Sequence, residues 1–480
     1  MINTRFSPIT AILVSVALVL ASAALAAPKD DRVREVEQTV RHFTESPFAI
    51  HGYRPSLEKQ DDLQIFLDTG AHATRTGLTR YSTEPEEGTF DWIRPDKSIS
   101  ANEEIGTTTL PWLVSSSPWA QTERLRDLNK QAADRGSPSG SYQNLELPPD
   151  LDSYRRWVTT VVERYDGDGV DDMPGLKEGI HAWQIENEWT WRWSGTPEEL
   201  LELHRVASEA VRAADPAAKI VLGGLTGIEG AALADGYLDD GSIIVGGKPV
   251  TAEIVREHPA AKEIFARINI IFDRGADYFD VVSLHKYGSY DHIPACVAWL
   301  EDKMAANGYS RPIIGTEIGG PFIASQEAYT DQTHRDAVVK YHVVSLACGI
   351  QQIYWSALFG GGTWGPSYTN TNFVYPKGNI RPAYYTYQLL VKKLAGIKSA
   401  VRIPVENWDP ETRIYKFERE SGPIYIAWSE RINGRHLTVP IEGKTVRQTD
   451  VRANETSLPV HKGRLVLDLT ASPVFIEPVD

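Results

Sequence analysis

The chain has 480 residues, 42% apolar and 24% charged, values close to globular averages that exclude a disordered chain, a collagen-like repeat and a polytopic membrane protein. Its 49 basic and 64 acidic residues leave a formal net charge of −15. That balance argues against a general binder of nucleic acid or of anionic membranes, which would be repelled, and no local basic patch offsets it. The length suits one large domain, such as a barrel of roughly 250 residues or more, with one or two smaller ones. An inventory of 13 Trp and 20 Tyr is heavy, and flat rings with a polar edge suit sugar faces as well as cores.

The first element in chain order reads as an export signal. Arg5 is its only charge, residues 9–20 are almost uninterruptedly apolar, and Ala24-Leu25-Ala26 has the small-x-small form of a cleavage site. Cleavage is expected after Ala26, with an uncleaved membrane anchor as the alternative. No cysteine follows the signal for lipid attachment, and no later segment reads as a membrane span. A secreted or periplasmic protein without stable membrane association is therefore expected. Cys296 and Cys348 permit one disulfide, but each lies in an apolar, helix-like stretch where a free buried thiol is common.

From about residue 46 to 390, short apolar and β-branched runs alternate with longer segments of helical period, the pattern of parallel strands joined by crossover helices. Strands are expected over 48–52, 72–79, 107–114, 181–186, 219–223, 279–285, 312–316 and 351–356. Among the helices between them are 197–213, which opens on Pro with Glu in its first turn, and 325–348. Eight such units in this length fit an α/β fold of the (β/α)8 TIM-barrel type with insertions, and no Gly-rich dinucleotide fingerprint follows the first strand. Beyond about 395, alternating runs at 413–418, 423–429, 436–441, 464–468 and 473–477 are separated by turn formers such as Asn433-Gly434. They read as a small antiparallel β-sandwich. The expected organisation is a signal over 1–26, a catalytic barrel over 27–392 and a sandwich over 393–480. Trp408 and Trp428 would give the sandwich a sugar-binding role only if they are not core residues.

Two strand ends carry carboxylates. The fourth strand runs into Glu186-Asn187-Glu188-Trp189 and the seventh into Thr316-Glu317. Each places a Glu at the face where barrel enzymes keep their sites. Taken alone, either would as readily be a helix cap or a solvated loop residue. Two carboxyls facing each other across the mouth are what glycosidic cleavage needs, one to protonate the leaving oxygen and one to meet the oxocarbenium-like carbon.

With Asn187-Glu188 and Thr316-Glu317 stand, in order, Arg75 on strand two, the segment 84–92 after it and Pro118-Trp119-Ala120 after strand three. His285-Lys286-Tyr287 follows on strand six and Trp355 on strand eight. This ordered set resembles the clan A glycoside hydrolases, retaining (β/α)8-barrel enzymes, with families 39 and 5 as the branches it looks most like. The resemblance implies that Glu188 is the acid/base and Glu317 the nucleophile. Glu317 should then be held ionised by Arg75 and by a hydrogen bond from Tyr287, while Glu188 must keep its proton until the bond breaks, which requires partial burial near a negative charge. It further implies that Asn187 bonds a sugar 2-hydroxyl, that His285 contacts the sugar or orients Glu317, and that Trp355 is a platform in the cleavage subsite. Trp112, Trp119, Trp189, Trp191 and Trp193 would pave further subsites, two or three of them being packing residues instead. The expected partner is a β-linked oligo- or polysaccharide or an arabinofuranoside, with no metal or organic cofactor.

Three features depart from the pattern or lie outside it. Trp189 follows the acid/base where relatives often carry Pro. Glu186 precedes Glu188 by two residues, on the same side of an extended strand, and would compete for the acid role. Arg80 stands where an aromatic is common and would make the pocket more basic, unless it pairs with Glu84. Separately, the loop 166–172 (Asp-Gly-Asp-Gly-Val-Asp-Asp) has the oxygen-rich character of a calcium loop without its full ligand register, and a plain acidic turn is the alternative. Two other readings remain: a carbohydrate-binding barrel without turnover, and an inverting enzyme, whose carboxyls would stand roughly 6.5 to 9.5 Å apart instead of roughly 5 to 5.5 Å.

Overall fold

The computed structural model describes residues 29–134, 144–245, 247–320, 330–360, 371–375, 378–405 and 409–479. The export signal, Trp408 and the start of the helix expected over 325–348 lie outside them.

Eight parallel strands make one sheet: β1 (Phe48–His51), β2 (Ala73–Thr79), β3 (Thr108–Val114), β4 (Ala182–Ile185), β5 (Lys219–Leu222), β6 (Val282–Lys286), β7 (Ile313–Ile318) and β8 (Ile350–Trp355). Each pairs with the next in sequence except β5 with β6, and β8 returns to β1. Bridges Val221 to Val281 and Leu225 to Leu284 join β5 to the approach and end of β6, which closes the ring. Helices such as Ile93–Glu104, Leu151–Glu163, Pro197–Ala214, Ile293–Ala306 and Asp331–Ala347 cross between strands, giving the (β/α)8 barrel. The helix Pro197–Ala214 shows why the signals in the sequence are legible: Pro197 needs no N–H partner in the first turn, and Thr196 and Glu199 form a reciprocal capping box. Inside the barrel, Ala49, Ala73, Leu110, Val221, Ile314 and Tyr354 form a cluster of small and large side chains from six strands, with Ala182 and Val281 against it. The barrel interior is thus a packed core and not a pore.

The C-terminal region is an antiparallel seven-stranded sheet packed against the two-stranded ribbon Arg435–Pro440 and Arg464–Leu469. Ile414, Ala427, Val446 and Ile476 from the sheet and Val439, Leu465, Leu467 and Leu469 from the ribbon fill the space between. Four of the sheet's strands were not anticipated: Arg41–His42, Ile397–Arg402, Thr445–Asp450 and Glu455–Pro459. The last two carry too few apolar residues for a period-two signal. The sheet also draws an edge strand, Arg41–His42, from ahead of the barrel, paired with Ala400 and Ser399.

A charged junction ties this edge together. Glu37, 3% exposed on the helix Asp30–Gln38, accepts from Arg402 at 2.6 Å, Arg413 at 2.9 Å and the Tyr415 hydroxyl at 3.1 Å. Both cysteines are buried and unbonded, and burial pushes the Cys296 thiol up to about 12, so it has no nucleophilic character near neutral pH. Among the described residues no helix is long and apolar enough to cross a membrane.

Replacing Glu37 with Ala leaves two buried guanidinium groups short of a counter-charge. A loss of about 3 to 5 kcal/mol in denaturant unfolding is expected. A loss below about 1 kcal/mol, the worth of an exposed pair, would contradict this account of the junction.

Candidate active site

The polar groups at the carboxyl ends of the strands converge on Arg75. It lies on β2 with no exposed surface, its guanidinium 4.3 Å above the ring centre of Trp112. It donates to Gln184 Oε1 on β4 at 2.9 Å, to Asn187 Oδ1 at 2.6 Å and to Glu317 Oε1 on β7 at 2.8 Å, and it stands 3.0 Å from His51 Nδ1 on β1. A planar cation with five donors suits this task, because one side chain on β2 fixes groups from three other strands.

Glu317 is presented by an irregularity in β7. The register against β6 shifts between Gly315 and Glu317, and a shift of this kind re-aims a side chain. Its second oxygen, Oε2, accepts from the Tyr287 hydroxyl at 2.7 Å, and that hydroxyl is also 3.0 Å from Ser356 Oγ. Burial alone would raise the Glu317 carboxyl, but His285, His51, Arg75 and the Tyr287 hydrogen bond together hold it well below the usual carboxylate range. Burial drives His51 itself down to about 3, so at neutral pH the permanent positive charge beside Glu317 is Arg75.

The chain leaving β4 takes two left-handed steps, at Glu186 (φ 62°) and Glu188 (φ 52°). Such conformations cost a non-glycine residue roughly 1 to 3 kcal/mol each and cluster at functional sites. They also correct the expectation that Glu186 and Glu188 share a side, which holds only while the strand stays extended. Glu186 turns into the wall, fully buried, its Oε1 accepting from the Ser115 N–H at 2.8 Å, and burial raises its carboxyl. Glu188 turns toward the mouth and remains partly exposed. Gly223 makes room for this turn: a Cβ there would lie 2.5 Å from the Ile185 carbonyl oxygen and 2.7 Å from that of Glu186.

His285 lies between the two glutamates. Its Nδ1 is 2.9 Å from Glu188 Oε1 and 3.5 Å from Glu317 Oε2. Gly224 lets the ring sit there, since a Cβ would come within 1.9 Å of Nε2. One oxygen of Glu188, one of Glu317 and a ring nitrogen of His285 all lie within 4.8 Å of one another. A metal would find three donors here, but the Arg75 guanidinium 2.8 Å from Glu317 already supplies the local positive charge and disfavours a second cation.

The tryptophans divide. Trp189 and Trp193 are buried packing residues, the latter donating to the Thr196 carbonyl at 2.9 Å. Trp119 is half-buried, donates to the Glu84 carbonyl at 2.9 Å and carries the Arg80 guanidinium 4.4 Å above its ring. Arg80 pairs with Glu84 at 2.8 Å and is buried, which makes it part of the scaffold and not a basic lining. The platform expected at Trp355 is corrected too. That ring is 0% exposed, stacked on Phe373 at 5.8 Å, with its N–H donated to the Thr371 carbonyl, so it is core. Trp191, by contrast, is 43% exposed and donates to Glu188 Oε2 at 3.1 Å. His51 and Ser356 were missed. Both sit at strand ends, directly before Gly52 and directly after Trp355, and a survey of every polar residue in those positions would have found them.

Solved structures that superimpose on the chain include several glycoside hydrolases. A family 39 glycoside hydrolase from Bacteroides cellulosilyticus WH2 superimposes with a TM-score of 0.63 at 16% identity, covering 94% of this chain and 82% of that one. An alpha-L-arabinofuranosidase from Thermotoga maritima gives 0.55 at 13% identity over 92% and 98%, and a GH30 endoxylanase from Clostridium papyrosolvens C71 gives 0.52 at 13% over 92% and 98%. No family model matches the sequence, and no curated protein matches it. These likenesses establish the fold.

Because the folded protein lowers the Glu317 carboxyl, its ionised form stabilises the fold. That contribution is complete above the ordinary glutamate value of about 4.3 and is lost as acid takes the group through its lowered value. Between neutral pH and a pH near 3, wild type should therefore lose more unfolding free energy than Glu317→Gln. Equal losses in denaturant titrations would refute the charge environment described.

Proposed function

We propose that this chain is an exported retaining glycoside hydrolase that cleaves O-glycosidic bonds of a β-linked oligo- or polysaccharide by double displacement. Glu317 is the nucleophile and Glu188 the acid/base. The observation that supports this reading most is the approach of the two carboxyls, an oxygen of each within 4.8 Å of the other at the ends of β4 and β7. Roughly 5 to 5.5 Å between carboxyls places both around one anomeric carbon, whereas inversion needs roughly 6.5 to 9.5 Å to admit a water.

In the first step a Glu317 oxygen attacks the anomeric carbon while Glu188 gives its proton to the departing oxygen. Arg75 and Tyr287 keep Glu317 charged until then. Their hydrogen bonds also fix the carboxylate, so little reorganisation accompanies attack. The product is a glycosyl ester on Glu317 and a carboxylate on Glu188. In the second step Glu188 takes a proton from water, whose oxygen attacks the same carbon and releases Glu317. His285 Nδ1, 2.9 Å from Glu188, accepts from the acid form or donates to the carboxylate according to tautomer, and so serves both states.

Asn187 has its carbonyl oxygen held by Arg75, which turns its amide N–H groups outward as donors for a sugar 2-hydroxyl, a contact that strengthens in the transition state. Trp191, exposed and bonded to the acid/base, offers a flat face on the leaving-group side. The signal read in residues 1–26 supports action outside the cytoplasm, in the periplasm or medium.

Hydrolysis of a panel of aryl β-glycosides and arabinofuranosides tests the assignment. Glu317→Ala should abolish turnover. Glu188→Ala should slow substrates with poor leaving groups by about 10² to 10⁴-fold, yet spare formation of the glycosyl-enzyme from dinitrophenyl glycosides, with azide restoring turnover as a glycosyl azide of retained configuration. A wild-type protein that binds these sugars without cleaving any would leave a binding module, and variants as fast as an active wild type would overturn the roles given to Glu317 and Glu188.

A further inference from the structure

On the opposite side of β4, the chain enters the strand through an acidic loop that plays no part in the chemistry above. The helix Leu151–Glu163 ends on Glu163, and the loop that follows brings Asp166 and Asp168 back to it, so that one carboxylate oxygen from each of the three lies within 4.8 Å of the others. Asp168 Oδ1 accepts from the Val170 N–H at 2.8 Å, and Asp172 is committed to the loop backbone. Asp172 accepts from the N–H groups of Gly167 at 3.1 Å and Gly169 at 2.8 Å.

Asp166 differs from the others. It is 4% exposed, its Oδ1 accepts from the Asp168 N–H at 3.3 Å, and its Oδ2 is buried with no hydrogen-bond partner among the described residues. A buried carboxylate oxygen without a donor is costly, and few native structures leave one without an ion, a water or a proton to satisfy it. Burial, together with the charges of Asp168, Glu163 and Asp172, pushes this carboxyl up to about 6. Glu163 is raised as well, by burial and by Asp168, Asp171 and Asp172. The nearest base in sequence, Arg164, is engaged by Asp96 at 2.6 Å.

We propose that Glu163, Asp166 and Asp168 bind one calcium-class divalent cation that pins the loop between this helix and β4. The donors are all oxygens, which selects a hard cation over zinc or copper. Oxygens on opposite sides of calcium at about 2.4 Å are about 4.8 Å apart, and calcium accepts irregular sets completed by water and backbone carbonyls. The last turn of a helix, with its exposed carbonyls, further favours positive charge. The loop is tightly coupled to the strand that delivers Glu188: a Cβ on Gly179, just ahead of β4, would lie 1.9 Å from the Asp166 carbonyl oxygen. Calcium bound here would therefore stabilise the root of β4, far from the proton transfers at its other end.

Titration calorimetry of the EDTA-stripped, dialysed full chain with CaCl2 should give one site per chain, with Tm rising between excess EDTA and millimolar CaCl2. Asp166→Asn and Asp168→Asn should each weaken calcium by at least about tenfold. The first should be at least as stable as wild type in EDTA, because it removes an unpaired buried charge. Absence of heat and of any Tm change in wild type would overturn the site, as would a response unaltered in both variants. Magnesium binding as tightly as calcium would overturn the choice of ion.

Discussion

The rim of the barrel is organised by one buried cation. Arg75 has no contact with solvent and is met by groups from β1, β4 and β7, so removing its charge would leave an ionised carboxylate unpaired in a place water reaches poorly. Breaking a buried pair in this way costs about 3 to 5 kcal/mol. The same contacts that satisfy the guanidinium also fix Glu317, hold Asn187 and anchor β4 through Gln184, so one desolvation cost supports several positions of the rim. Trp112 beneath the guanidinium closes the remaining face.

Around that cation, the positions of the two glutamates are set by local departures from regular structure. The irregularity in β7 delivers Glu317, and two left-handed residues after β4 separate Glu186 from Glu188. Gly223 and Gly224 at the end of β5 make room for the β4 turn and for His285. The strain is tolerated because a closed ring of paired strands holds both ends of each segment. A free loop carrying the same residues would relax out of it.

Much of this was legible in the sequence because it rests on pattern and order. Strand residues such as Thr108–Val114 and Lys219–Leu222 fall within a residue of the expected spans, since apolar runs buried on both faces leave an unambiguous signature. Arg75, Tyr287 and Glu317, anticipated as partners, are in contact. What failed did so for identifiable reasons. Placing Glu186 on the same side as Glu188 assumed an extended backbone that the chain abandons at Glu186. Trp355 was placed by its strand position, but the aromatic layer of Phe373 and His342 around it exists only in three dimensions. The strands Thr445–Asp450 and Glu455–Pro459 are polar pieces that owe their conformation to the neighbours they pair with.

In the proposed reaction the Glu317 carboxylate, held ionised by Arg75 and Tyr287, bonds covalently to the anomeric carbon. Incubation with a series of 2-deoxy-2-fluoro glycosides bearing good leaving groups, followed by peptide mass spectrometry, tests it directly. A glycosyl adduct on the peptide that contains Glu317, formed one per chain as activity disappears, is the expected result. An active enzyme that accumulates no adduct, or one labelled on a different carboxylate, would contradict it.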